Sequence, residues 1–232
     1  MVKKNLILFF GSSGGIGQKL AKMLKKKYKI ICFYNKNKIL NKDKIISRRL
    51  DFLNNQEINN ISKVINFKNY KIVILNFASV KIDKLSLYVN ESEYKKSMEI
   101  NVNAFLKIIN KIIPHMMKSN WGRVINISST GGIVGDKGTI LYSMSKNAVL
   151  GMMKVMSKEY GKFNITFNTL KLGNFNHGLF RNLDDDFKKK LLEKVPSKKT
   201  GNIKNILYAI DFLIKTDYIN GSSINIDGGL EN

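Results

Sequence analysis

Cysteine is nearly missing from this sequence: Cys32 stands alone, inside the apolar run KIICFY at 29–34. An intramolecular disulfide, a cysteine-rich metal site and a C-x-x-C redox pair are therefore excluded, which leaves Cys32 a packing role. Proline occurs only at Pro114, near the end of a helical stretch, and at Pro196 in a late loop. No linker, repeat or shift of composition divides the chain. No apolar run reaches the 18 or so residues of a membrane span, and the start MVKKNLILFF runs into glycines rather than toward a small-residue cleavage site. A soluble, cytoplasmic protein is expected. Acids are scarce, 17 Asp and Glu against 40 Lys and Arg, for a net charge of +23. Such an excess ordinarily points to a polyanionic partner. Arginine, however, occurs only at Arg48, Arg49, Arg123 and Arg181, and the guanidinium fork is what base-edge and phosphate recognition favours. The lysines are scattered among Asn and Ile, which argues against a nucleic-acid role and leaves attraction for small anions.

With 232 residues, 44% of them hydrophobic, the chain can build one sizeable core. Apolar runs alternate with helical patterns: LILFF (6–10), KIICFY (29–34), KIVILNF (71–77), GRVINIS (122–128), NITFNTL (164–170) and SSINID (222–227). Short, nearly continuous β-branched runs separated by helices are what buried parallel strands require. The expectation is a single α/β domain over 1–232, a three-layer doubly wound parallel sheet of Rossmann type. One stretch without strand character, 174–201, contains DDDFKKKLLEKV. Acid first and lysine later suits a capped, solvated helix, and an insertion after a strand end can serve as a lid.

GSSGGIG follows the first strand and opens the first helix, the setting in which a glycine loop carries meaning. Gly11, Gly15 and Gly17 permit a tight turn, close backbone approach to a pyrophosphate, and close helix-strand packing at a helix N-terminus. About 20 residues further on, an acid would hold the adenosine ribose. Here the second strand ends FYNKNK, with Tyr34, Asn35, Lys36 and Lys38 and no acid. An acid would repel a 2′-phosphate and Lys36 can pair with one, so NADP(H) is preferred over NAD(H). Asp51, in RRLDFL, is either a partner for the adenine amino group or a loop acid.

Tyr142 and Lys146, in YSMSK, lie four residues apart and would share a helix face. Tyr34 and Lys38 repeat that spacing, so spacing alone decides nothing. NISSTGG upstream puts Ser129 at the C-terminal end of a strand, where open α/β sheets gather ligands. Taken together, the chain resembles the short-chain dehydrogenase/reductase family from Leu6 to Leu230. Its TGxxxGIG motif corresponds to FGSSGGIG and its NNAG to NFAS at 76–79. The helix asparagine is Asn101, the serine thirteen residues before the tyrosine is Ser129, YxxxK is Tyr142 and Lys146, and DGG is 227–229. The resemblance implies an Asn101, Ser129, Tyr142 and Lys146 tetrad and a homodimer or homotetramer. It also implies a cofactor held by Gly11, Ser13, Gly14, Gly15, Ile16 and Gly17, by Asn35, Lys36, Asp51 and Phe52, and by Asn76, Ala78, Tyr142, Lys146 and Gly173. Reducing a carbonyl needs an acid separate from the hydride, and a phenol near pKa 10 serves as base only if its anion is favoured. Lys146, with the positive nicotinamide of the oxidised cofactor, would favour it. Ser129 would hydrogen-bond the substrate oxygen. From the family, Lys146 would bind the nicotinamide ribose and Asn101 would hold a water joining Lys146 to solvent.

Several positions depart from the family. Phe10 replaces the threonine and its hydroxyl, Phe77 and Ser79 replace the second Asn and the Gly of NNAG, and Leu172 replaces the proline before Gly173. Where the family's carrier-protein reductases place basic residues, Asn120 and Phe163 stand, with Lys118 and Lys162 close by. His177, Phe180 and Arg181 are candidates for contact with a polar or anionic substrate. Two rivals predict otherwise: a basic nucleic-acid-binding or nucleotide-sensing protein on this fold without turnover, and a serine acyl-transfer enzyme using SMSK and KTG (199–201), which lacks an S-D-N element. The expected activity is hydride transfer between NADP(H) and a carbonyl or secondary alcohol.

Overall fold

Along Leu6 to Phe10 every side chain is apolar, so a strand there can be covered on both faces, and the period of two sorts its residues between them. The computed structural model describes residues 4–38, 44–177 and 180–231. In it Leu6, Leu8 and Phe10 join one buried cluster and Ile7 and Phe9 another. The strands are β1 (Lys4–Phe10), β2 (Lys29–Tyr34), β3 (Ile45–Arg49), β4 (Tyr70–Asn76), β5 (Gly122–Ser129), β6 (Ile165–Leu172) and β7 (Ser223–Ile226). They form one sheet in the order β3-β2-β1-β4-β5-β6-β7, every pairing parallel. This is the single-domain, doubly wound sheet expected from the alternation of patterns.

Helices α1 (Gly15–Leu24) and α8 (Ile203–Lys215) cover one face through Leu20, Leu24, Ile206 and Ile210. Cys32 packs in that layer, its thiol pushed up to about 11 by burial. The short α2 (Asn55–Asn59), α4 (Ala104–Ser119) and α6 (Ile140–Tyr160) cover the other, through Ile58, Phe105, Ile108, Val149 and Met153. Helix α3 (Glu91–Met98), started by an Asn90–Glu93 capping box, runs into α4 through a π-helical turn at Glu99–Asn103. After β5 comes α5 (Thr130–Val134). No helix among the described residues is long and apolar enough to cross a membrane.

The segment 174–201 leaves the sheet after β6 and is closed at its base by a bridge between Phe175 and Gly201, where the Gly201 N–H donates to the Asn174 carbonyl at 2.8 Å. Residues 178 and 179 of this segment lie outside the described ones. Its helix α7 (Asp185–Glu193) has the expected form: Asp184 accepts from the Phe187 N–H at 2.8 Å, and Lys188 pairs with Asp185 at 2.9 Å.

What positions the site is the strand order. The chain builds β2 and β3 on one side of β1, then returns to build β4 onward on the other. The helices leaving β1 and β4 therefore diverge, and a crevice opens at the C-terminal ends of those two strands. The two apolar layers hold that arrangement, and Phe105, fully buried where α4 begins, is a direct probe of one of them. Phe105→Ala should lower the free energy of unfolding by about 3–5 kcal/mol, read by denaturant titration.

Candidate active site

Gly11 ends β1 with φ +71°, and a Cβ there would lie 2.4 Å from the Ala78 nitrogen and 2.5 Å from the Phe77 carbonyl carbon. A Cβ on Gly17 would lie 2.6 Å from the Gly11 carbonyl oxygen. Both positions thus need glycine for close backbone approach. Gly14 and Gly15 are exposed, Ser13 and Ile16 half-buried. Helix α1 begins with no side-chain cap and no acid in its first turn. Its first N–H groups consequently face the crevice without a claim on them from a side chain.

On the β2 side, Asn35 and Lys36 are exposed directly after the strand. Tyr34 ends that strand, so Tyr34 and Lys38 do not share a helix face, which separates them from Tyr142 and Lys146. Asp51 is drawn into its own turn, with one oxygen accepting from the Leu53 N–H at 3.0 Å and the other 3.8 Å from Arg49. Phe52 is buried against Phe10, which in turn stacks on Phe33 at 4.7 Å. At the end of β4, Asn76 donates to Asn126 at 3.0 Å and accepts from the Ala78 N–H at 3.2 Å, bracing the turn that meets Gly11. Gly173 serves packing, since a Cβ there would lie 2.6 Å from the Asp227 Cα.

Tyr142 and Lys146 lie on one face of α6, with the ammonium 5.4 Å from the phenol ring centroid. Lys146 is 6% exposed and donates to the Ile127 carbonyl at 3.1 Å. Burial holds its pKa down at about 8, below the ordinary 10.5. Ser129 occupies the position before α5 without capping it. The phenol pKa of Tyr142 is raised: burial pushes it up, the nearby Ser129 hydroxyl opposes, and the Asp83 carboxylate adds to the rise. The lowering expected from Lys146 is therefore not realised in the protein alone, because the low-dielectric surroundings penalise phenolate more than the neighbours favour it.

Asn101 lies in the π-helical turn, a feature frequent at functional sites. Its amide donates to the Val80 carbonyl and to the Ser145 hydroxyl, each at 2.9 Å, and accepts from the Val80 N–H at 2.7 Å. Both amide hydrogens are spent on protein groups. Asn101 thereby braces the loop after β4 against the residue preceding Lys146.

Three contributors are not evident in the sequence. Ser12, fully buried, donates from its hydroxyl to the Phe33 carbonyl at 3.0 Å. It supplies the tie between glycine loop and neighbouring strand that Phe10 was expected to forfeit. Gly132 lies against the Tyr142–Lys146 pair: a Cβ there would meet Tyr142 Cε1 at 2.8 Å and Lys146 Cγ at 3.2 Å. Thr130 donates to Asp227 at 3.3 Å, and Asp227 also accepts from the Gly229 N–H, which joins the residue after Ser129 to the loop after β7. Among the substrate-side candidates, Phe180 is buried, and His177 turns toward Lys19 on α1. Arg123 is buried over Trp121 at 4.5 Å and donates to the Asn164 carbonyl, so it is no surface docking group. Lys118 and Lys162 are both exposed.

A buried ammonium without a carboxylate partner is a standing cost to the fold. Between about pH 8 and 10.5 the unfolded chain carries a proton on this lysine that the folded chain lacks, so this group's contribution to stability rises with pH across that window and is least favourable below it. Lys146→Met should raise stability at pH 7 by up to about 3 kcal/mol and remove that rise, read by denaturant titration at several pH values.

A family model described as short chain dehydrogenase matches residues 5–188. The 3-oxoacyl-(acyl-carrier-protein) reductase FabG of Rickettsia typhi is 30% identical over 233 residues, 96% of this chain and 95% of that relative. The protein of the same name from Buchnera aphidicola subsp. Schizaphis graminum is 30% identical over 240 residues, 99% of this chain and 98% of that relative. Two solved structures share the fold: actinorhodin polyketide ketoreductase with NADPH (TM-score 0.87, 18% identity, 99% of this chain and 98% of that one) and ElxO with NADP bound (TM-score 0.86, 24% identity, 98% of each). With the family model spanning most of the chain and relatives matched over nearly their whole length, the chain belongs to the short-chain dehydrogenase/reductase family.

Proposed function

We propose that this chain, an NAD(P)-dependent oxidoreductase by family, uses NADP(H) and reduces a carbonyl to a secondary alcohol, with Tyr142 as the proton donor. The observation that carries the reading is the Tyr142 phenol on one face of α6 with a buried Lys146, the ammonium 5.4 Å from the ring centroid, beside Ser129 at the C-terminal end of β5. The residues fit a dinucleotide. A Cβ at Gly11 or Gly17 would fill the space of the close turn, Gly14 and Gly15 are open, and the first turn of α1 is uncapped. Gly11 to Gly17 would hold the pyrophosphate, Asn76 and Ala78 would support the adenosine side, and Lys146 would hold the nicotinamide ribose. Lys36, exposed after β2 where no acid stands, suits a 2′-phosphate. The NADP and NADPH of the similar structures support that preference, and the relatives' names support a 3-oxoacyl thioester as the carbonyl.

When bound, the cofactor supplies a hydride to the carbonyl carbon. Charge then develops on the carbonyl oxygen, where the hydroxyl of Ser129 and the phenol of Tyr142 both donate. Tyr142 gives up its proton to that oxygen. In the free protein the phenol is protonated, the state an acid must be in, and burial disfavours its anion there. Lys146 uses one N–H on the Ile127 carbonyl. Two remain to hold the ribose and to stabilise phenolate after proton transfer. Asn101 fixes this lysine's backbone by holding Ser145.

The test is consumption of NADPH against a panel of ketones and 3-oxoacyl thioesters. Turnover with at least one substrate is expected, and Tyr142→Phe should lower kcat about 10²- to 10⁴-fold while leaving NADPH affinity nearly unchanged. A Tyr142→Phe protein with wild-type kcat would contradict the assignment. We also propose self-association, supported by Tyr208 and Phe212 exposed on α8 and by the fully exposed Tyr218 that precedes edge strand β7. Light scattering should give a dimer or tetramer mass, and a monomer mass contradicts it.

A further inference from the structure

Two cations and an imidazole meet where α1 faces the loop after β6. The Lys19 Nζ lies 3.3 Å from Nδ1 and 3.3 Å from Nε2 of His177. The lone-pair directions of the two ring nitrogens diverge, so an ammonium equidistant from both is aligned with neither. This is crowding rather than a good hydrogen bond. Arg181 adds its charge from the turn that follows: burial, Lys19 and Arg181, in that order, hold the imidazole below its ordinary pKa. Among the described residues none of the three forms an ion pair with a carboxylate. Such a cluster is favoured only when an anion sits among its members.

The placement says which anion. Lys19 follows Gly15 by four residues on α1, so the two share a face, and a helical side chain leans toward the N-terminus of its helix. The neighbouring Gln18 shows that lean, its amide reaching back to the Ser13 carbonyl at 3.0 Å. Lys19 accordingly leans over exposed Gly15 and the start of α1, while His177 approaches from the opposite wall of the crevice, four residues beyond Gly173.

The geometry points to Lys19 and His177 as a two-sided clamp on the pyrophosphate of the dinucleotide, one arm from α1 and one from the loop after β6. This rests on the dinucleotide reading above and adds two binding residues to it. An anion between them would favour protonation of the imidazole and then accept two charge-assisted contacts, one from each arm. Because the pyrophosphate is common to both nucleotides, the clamp serves NADPH and NADH alike, unlike Lys36.

The experiment is calorimetric titration of the full chain with NADPH and with NADH, for wild type, Lys19→Met, Lys19→Arg, His177→Gln and Lys36→Met. Lys19→Met should weaken both nucleotides by the same factor, about ten-fold, the scale of one charge-assisted contact. Lys19→Arg should restore affinity, and Lys36→Met should weaken NADPH alone. Wild type should take up protons on binding NADH near pH 7, read in buffers of different ionisation enthalpy, and His177→Gln should not. Lys19 is exposed, so a folding defect is not expected, and circular dichroism checks it. A Lys19→Met loss confined to NADPH would move Lys19 to the 2′-phosphate and overturn the clamp. Unchanged nucleotide affinity with a raised substrate KM would assign the cluster to the substrate and overturn it too. If wild type binds neither nucleotide, the dinucleotide reading falls and the clamp with it.

Discussion

The approach of Gly11 to the backbone of Phe77 and Ala78 is the constraint on which the rest of the site depends. No side chain can stand between the ends of β1 and β4, because even a Cβ would come within 2.4 Å of the Ala78 nitrogen. That contact holds the two strand ends together where the sheet changes its direction of winding. Ser12 secures the same loop from the other side by bonding the Phe33 carbonyl. The glycine loop is thus fixed between β2 and β4, with its two open glycines and the uncapped start of α1 facing outward. A preorganised cradle costs little reorganisation when an anion arrives.

The second half of the site is made by burial. Lys146 lies on one helix face with Tyr142 and has a backbone carbonyl for a partner and, among the described residues, no carboxylate. A carboxylate there would steady the ammonium, but it would also neutralise the field that a phenolate needs. Under the proposed role of Tyr142, the fold carries the cost of an uncompensated charge where the reaction would use it, a common trade between stability and activity. Burial raises the phenol's pKa and lowers the lysine's. Both directions follow from one cause, the low dielectric that disfavours each charged form. Asn101, held in the π-helical turn, ties Val80 to Ser145 and keeps this arrangement in register with the loop after β4.

What the sequence reveals follows the range of the interactions. The glycine loop, the Tyr142–Lys146 pair and the capped α7 are set by neighbours a few residues apart, so spacing and residue type suffice to read them. The alternation of apolar runs and helical patterns gives the parallel sheet for the same reason. Ser12 bonds a carbonyl 21 residues away, Lys19 meets His177 across 158 residues, and Gly132 matters only because α5 folds back on α6. None of these leaves a local trace. The direction of the Tyr142 shift was also hidden, since sequence exposes the nearby lysine but not the depth of burial that outweighs it. Asp51 shows the reverse: its turn closes on the Leu53 N–H two residues away, a contact local enough for the sequence to suggest it beside the adenine alternative.

Under the proposed function, one crevice at the C-terminal ends of β1, β4 and β5 brings a dinucleotide against the Tyr142 phenol. A crystal structure of the protein grown with NADPH tests it most directly. The account predicts the pyrophosphate over Gly14 and Gly15 and the nicotinamide ribose within hydrogen-bond reach of Lys146. A nucleotide bound elsewhere, or one whose nicotinamide lies away from Tyr142, would contradict it.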